Sequence, residues 1–275
     1  DTRELALEML IEINERGQFS HIVLRSVLDK YQYLSKQDRA FMTRLVDGTI
    51  EYMLQLDYII DQFSKTKVRK MKPLIRNLLR MSVYQIKYMD SVPDSAVCNE
   101  AVKIAKRHKF GQLSGFVNGV LRNIARNIDT IEFTDLSVLY SMPQWIVDRF
   151  VSSYGAAKAE EILKNFQKKS TISIRTNLLA CTPGELKEKL KAEGVTVTDV
   201  PELDYAFMIS EFDHLSGLGS FNDGLFYVQD VSSMMVAETA DPKPGDHVID
   251  VCAAPGGKST HIAEKLKGTG NVEAR

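Results

Sequence analysis

The sequence predicts an α+β chain of three parts, and three observations predict it. Residues 1–127 repeat apolar side chains at helical spacing. Near residue 172 the period shifts to alternation. Residues 247–266 read as an apolar strand, a glycine turn and a helix. The expected divisions are an all-helical bundle (1–128), a helical linker with a small mixed α/β module (129–222), and the opening of a parallel-sheet domain (223–275).

The bundle reads as six or seven helices. Leu7, Leu10 and Ile11 mark one face of the first, and Gly17 ends it; Leu24 and Leu28 serve the second. Ser35 with Asp38 resembles a capping box ahead of Phe41, Leu45, Ile50 and Met53. Pro73 suits a first helical position, and Leu74, Leu78, Ser82 and Ile86 continue its stripe. Pro93-Asp94-Ser95 starts another helix, and Gly111 and Gly115 break the pattern before Phe116, Val120 and Leu121. Helical spacing continues to about residue 170, with one segment opening at Pro143-Gln144-Trp145 and closing at Tyr154-Gly155. Ile172–Arg175 then alternates as a strand, Thr182-Pro183 caps a helix burying Leu186 and Leu190, Gly194 stops it, and Val195 and Val197 resume strand spacing. Leu225–Val228 is a strand and Val231–Ala240 a helix. His247–Cys252 reads as a buried strand.

Composition bounds the class. Of 275 residues, 44% are hydrophobic and 26% charged, ordinary for a globular chain. No run is long and apolar enough for a transmembrane helix, and the first residues lack the pattern of a signal peptide. Three scattered cysteines, Cys98, Cys181 and Cys252, suit a reducing cytoplasm and offer neither disulfide framework nor metal site. A net charge of −1 hides an asymmetry of +6 over residues 1–130 and −7 over 131–275. Residues 65–109 carry 12 basic and 3 acidic side chains, a surface a phosphate backbone could use. The plainer reading is a set of solvated helix faces.

The stretch with chemical content is Asp250–Thr260, between the last clear strand and helix. A glycine pair lets main chain approach a ligand, and free amides at a helix start can receive an anion. Gly257-Lys258-Ser259 fits the end of a phosphate loop, but the first glycine of that pattern is Cys252 here, and the dinucleotide pattern GxGxxG is missing. Asp250 would repel a triphosphate. S-adenosylmethionine, with a sulfonium, an ammonium and one carboxylate, suits an acidic strand end better. The alternative is a turn that merely links strand to helix.

Cys252-Ala253-Ala254-Pro255-Gly256-Gly257-Lys258 resembles the cofactor motif of the RNA cytosine carbon-5 methyltransferases. Tyr227–Ser233 is similar to the Gln-Asp segment preceding that family's cofactor strand, Ile174–Asn177 to its Arg-x-Asn strand, and Tyr140–Val147 to its interdomain segment. Phe116–Arg122 resembles the NusB-type RNA-binding bundle. In this order the segments resemble bacterial 16S rRNA methyltransferases that join a NusB-like domain to such a core.

The resemblance implies an RRM-like mixed module and an incomplete Rossmann-like domain. It implies S-adenosylmethionine at Asp250 and Cys252–Lys258, and transfer to carbon 5 of a cytosine in 16S rRNA or a small-subunit precursor. The family's two catalytic cysteines lie downstream of the cofactor loop, so no catalytic residue is expected in this chain, nor any turnover from it alone. Lys103, Lys106, Arg107, Lys109 and Arg175 are the candidate RNA contacts, and Trp145 is read as an anchor between domains. A cytoplasmic monomer without metal or membrane is expected. The rival readings are a non-catalytic NusB-like antitermination adaptor and a nucleotide hydrolase using Gly257-Lys258-Ser259.

Overall fold

The structure is a computed structural model that describes all residues except 169–170 and 213–214. Of the helical stretch read to residue 170, the last two therefore lie outside the described residues. Two compact units result, Asp1–Lys168 and Lys169–Arg275. The sequence reading parts the chain at 128 and 222 instead.

The first unit is helical: α1 (Thr2–Arg16), α2 (Ser20–Lys30), α3 (Lys36–Glu51), α4 (Met53–Phe63), α5 (Pro73–Tyr88), α6 (Asp94–Arg107), α7 (Ser114–Asn127), α8 (Leu136–Leu139), α9 (Gln144–Tyr154) and α10 (Ala156–Phe166). Local signals set many ends. The Gly17 backbone is left-handed after α1, Ser35 Oγ accepts from the Asp38 amide at the start of α3, and Pro73 opens α5. At α5, packed by α1, α3, α4, α6 and α7, an unbroken run from Asn77 to Gln85 is buried. That wrap requires Gly48 on α3, since a Cβ there would stand 2.0 Å from the Tyr84 ring.

Because α5 is buried all round, its polar side chains carry partners. Arg80 makes two bonds of 2.7 Å to the Asp57 carboxylate, Arg76 pairs with Glu15, and Asn77 Nδ2 donates to Glu15 Oε1 at 2.7 Å. The short linker helix α8 joins this unit through α4. Gln55 Nε2 donates to the Leu139 carbonyl at 2.9 Å, and the Leu54 amide to Ser141 Oγ at 3.1 Å.

The second unit holds β1 (Ile172–Thr176), α11 (Pro183–Ala192), β2 (Thr196–Val200), β3 (Leu203–Ser210), α12 (Gly219–Asn222), β4 (Phe226–Val228), α13 (Val231–Ala240), β5 (His247–Asp250), α14 (Gly257–Leu266) and β6 (Asn271–Ala274). The first four strands form an antiparallel sheet in the order β2-β3-β1-β4. One face buries Ile174, Phe207, Ile209 and Phe226 with Leu186 and Leu190 of α11, a helix started by the expected capping box of Thr182 and Glu185. The other face sets Ala206 against Met234 of α13. Next along, Ala237, Ile262 and Leu266 of α13 and α14 enclose Val248 and Val272 of the parallel pair β5–β6.

Two expectations are corrected here. His247–Cys252 is not a fully buried strand: β5 ends at Asp250, and Ile249 and Val251 are 50% and 72% exposed. With helices on one side only, alternate residues of β5 face solvent. Trp145, expected as an anchor between domains, is 71% exposed on α9.

Candidate functional site

Strand β5 delivers Asp250 to the mouth of the glycine turn. Its carboxylate accepts from the Ser259 hydroxyl at 2.7 Å and from the Cys252 amide at 3.1 Å. These donors, the hydroxyl foremost, hold the carboxyl below its ordinary range. The turn is pinned at its base: the Arg275 amide donates to the Asp250 carbonyl at 2.9 Å, and the Ala253 amide to the Arg275 carbonyl at 3.2 Å.

The crest of the turn is open. Cys252, Ala254, Pro255 and Lys258 are exposed. Gly256, at φ +104°, takes a backbone conformation that side-chain-bearing residues rarely adopt, and a Cβ on it would meet nothing within 4 Å. It caps α14 without a side-chain acceptor, so no cap side chain satisfies the first amides of α14, at Gly257, Lys258 and Ser259, which lie at the positive end of the helix. A carboxylate and a nest of amides thus stand side by side. That donor set fits a ligand carrying both an anionic and a cationic group, as S-adenosylmethionine does.

It does not fit a nucleoside triphosphate. In a phosphate loop the Ser hydroxyl that follows Gly-Lys is a magnesium ligand. Here Ser259 is buried and its hydroxyl is spent on Asp250.

Arg175 is a further correction. Expected at the surface as an RNA contact, it is 0% exposed. It registers with Ala206, on the sheet face that α13 covers. Its Nε donates to Gln229 Oε1 at 2.7 Å, Nη1 pairs with Glu264, Nη2 reaches Thr260 Oγ1 at 3.3 Å, and the guanidinium lies 4.6 Å from the Tyr227 ring centre. Gln229 in turn stands against Gly257, where a Cβ would come within 3.8 Å of it. Arg175 therefore fixes α14, the helix that the glycine turn opens, and sequence reasoning missed that role.

Beside it lies a buried histidine that the sequence did not flag. His261 packs edge-on to Tyr205, with Glu238, Lys265 and Arg175 around it. Burial first, and then the Arg175 charge, pull its pKa down to about 4. Tyr205 donates to Glu238 Oε1 at 2.5 Å and Lys265 to Oε2 at 2.7 Å.

The other RNA candidates lie on or just after α6 in the helical unit, all exposed. Lys103 is paired with Glu100 at 2.7 Å, and Arg107 with Asp1 and Glu4 at 3.0 and 3.1 Å. Lys103 also lines an open groove of about 460 Å³ with Asn99, Asn118 and Arg122. Of the cysteines, Cys98 is buried, Cys181 half-buried and Cys252 exposed. Among the described residues no cluster of His, Cys, Asp and Glu could hold a metal, and no helix is long and apolar enough to cross a membrane.

Against known proteins, residues 1–126 match the NusB family. Residues 142–213 match the RsmF/B-like methyltransferase ferredoxin-like domain, and residues 237–275 the 16S rRNA methyltransferase RsmB/F family. A probable ribosomal RNA small subunit methyltransferase B of Bacillus subtilis is 38% identical over 98% of this chain and 61% of its own length. Its counterpart in Synechocystis is 33% identical over 99% and 62%. The chain thus spans about three fifths of these curated relatives' length. The crystal structure of PH0851 shares the fold over 100% of this chain and 63% of its own, with a TM-score of 0.71 at 23% identity.

Proposed function

The chain joins a NusB-family region to the ferredoxin-like and methyltransferase regions of the RsmB/F family, and from that premise we propose that the protein methylates carbon 5 of a cytosine in 16S rRNA, using S-adenosylmethionine. One observation carries the cofactor half of this reading. An ionised Asp250 stands beside an open glycine turn with amides that no cap side chain satisfies. Bound there, S-adenosylmethionine would supply an electrophilic methyl group. Asp250 would face the cationic part of the donor, and the amides of Gly257 and Lys258 its carboxylate. Gly256 leaves room for the nucleoside to lie on bare main chain. Lys258, exposed at the helix start, adds a positive charge beside the carboxylate.

The chemistry of the cytosine needs a nucleophile at carbon 6 and a base at carbon 5. We read none of the three cysteines as that nucleophile. Cys252 belongs to the turn itself, and burial raises the thiol pKa of Cys98 and Cys181. We assign the chain donor binding and RNA recognition, and expect no turnover from these 275 residues alone. The target base would have to leave its stack to be reached.

Isothermal titration of the full-length protein with S-adenosylhomocysteine and with ATP tests the assignment. Binding of the former alone is expected, weakened at least tenfold in Asp250→Asn. Binding of ATP alone rejects the cofactor. Binding of neither, with rRNA affinity retained, favours an adaptor.

A further inference from the structure

Between α4 and α5 the chain reads Ser64-Lys-Thr-Lys-Val-Arg-Lys-Met-Lys72, five cations without one acid. It is a built turn. A short 3₁₀ segment, Val68–Lys70, forms its centre. Asp61 Oδ1 accepts from the Val68 amide at 2.7 Å, Ser64 Oγ donates to the Thr66 carbonyl at 2.8 Å, and the Met71 amide donates to the Val68 carbonyl at 3.0 Å. Val68 and Met71 are buried as plugs in the helical core, so Lys65, Lys67, Arg69, Lys70 and Lys72 are all forced outward.

Most of the charges on α5 and α6 differ from those on this turn. Arg76 and Arg80 are neutralised by Glu15 and Asp57, and Lys103 and Arg107 by acids of their own surroundings, while among the described residues Lys87, Lys106 and Lys109 have no ion pair. Of the turn's five, only Lys67 approaches a carboxylate, Asp61 at 3.9 Å; the other four have none within ion-pair distance among the described residues. Holding like charges on a pinned turn costs stability, and a polyanion repays it.

We infer that the turn Lys65–Lys72 is a contact site for the phosphate backbone of RNA, and that it outranks the α6 basic cluster. The inference rests on the RNA half of the proposed function. An anionic membrane fits less well, because the turn's apolar side chains are buried and nothing is left to enter lipid. The segment has no aromatic side chain to stack on a base, so it reads charge and spacing, not sequence.

The test is binding of the 275-residue chain to a labelled 16S rRNA transcript, measured as a function of salt. Replacing Lys65, Arg69, Lys70 and Lys72 with Gln should weaken binding at least tenfold near physiological salt. It should also flatten the log–log salt slope by about 3–4, at roughly 0.7–0.9 for each of the four phosphates no longer neutralised. These side chains are exposed and repel one another, so the thermal melt should not fall. Replacing Lys65, Lys70 and Lys72 with Arg keeps the charge and should keep both affinity and slope. Replacing Lys103, Lys106 and Lys109 with Gln should change them less than the turn variant does.

An unchanged slope in the turn variant overturns the inference. So does failure of the parent chain to bind RNA, or a turn that binds anionic phosphatidylglycerol vesicles in preference to RNA. Donor titration does not involve the turn, so a failure there would strike the cofactor assignment and leave this one standing.

Discussion

Each unit buries arginine, and the two do so differently. In the helical unit Arg80 forks onto Asp57 near the surface, with the Asp57 side chain 29% exposed. In the mixed unit Arg175 and Glu264 are both sealed, and the guanidinium has four separate partners: two on α14, one on β4 and one in the segment joining β4 to α13. The first is a brace between two helices that would touch anyway. The second is a hub on which α14 is hung. Water shares the cost of the first pair and none of the second.

That difference can be broken experimentally. Arg175→Ala leaves the Glu264 carboxylate buried and alone, and should destabilise the mixed unit by about 3–5 kcal/mol. Urea unfolding followed by limited proteolysis of residues 169–275 would show it, and a loss below about 1 kcal/mol would mean that water already reaches the site. The double change Arg175→Met with Glu264→Leu should recover much of that loss, since it removes both charges together. Arg80→Ala is the matched change in the other unit and should cost less, about 1.5–3 kcal/mol, because Asp57 can rehydrate. Equal losses at the two sites would erase the distinction.

The most gradual effect, and the smallest per pH unit, is in pH. His261, with Arg175, Lys265, Glu238 and Tyr205 around it, is neutral in the folded protein down to about pH 4. The unfolded chain protonates near pH 6.5, so between about 6.5 and 4 the unfolded state holds more protons. Stability then falls as pH falls, by up to about 1.4 kcal/mol per pH unit from this group, and levels below about pH 4. His261→Phe should remove that slope from the mixed unit's unfolding and leave the helical unit's untouched. A slope that persists in the variant belongs to the carboxylates.

Reading the chain without its structure succeeds where the determinants are neighbours in sequence. Thr182 with Glu185 makes a cap within one turn of helix, and Gly256 with Gly257 declares an open turn whatever surrounds it. It fails where the determinants are distant. Arg175 finds Gln229, Thr260 and Glu264 at separations of 54, 85 and 89 residues, so an alternating strand with one charge reads as a surface strand. Strand β3 escapes detection for a related reason. Leu203, Ala206, Phe207 and Ile209 are divided between two buried faces, which blurs the alternation of a one-sided strand. The break between α3 and α4 at Tyr52 has neither proline nor glycine to announce it. Charge density locates the basic region of the bundle, but only the ion pairs separate its neutralised members from its idle ones.

Gln229 belongs to the segment joining β4 to α13, yet it forms the floor under Gly257 while Arg175 holds its other end. Transplanting the glycine turn into another parallel-sheet protein would leave that floor behind, and the graft would sag. The small antiparallel module and the turn are therefore a single heritable part, to be swapped between relatives together or not at all.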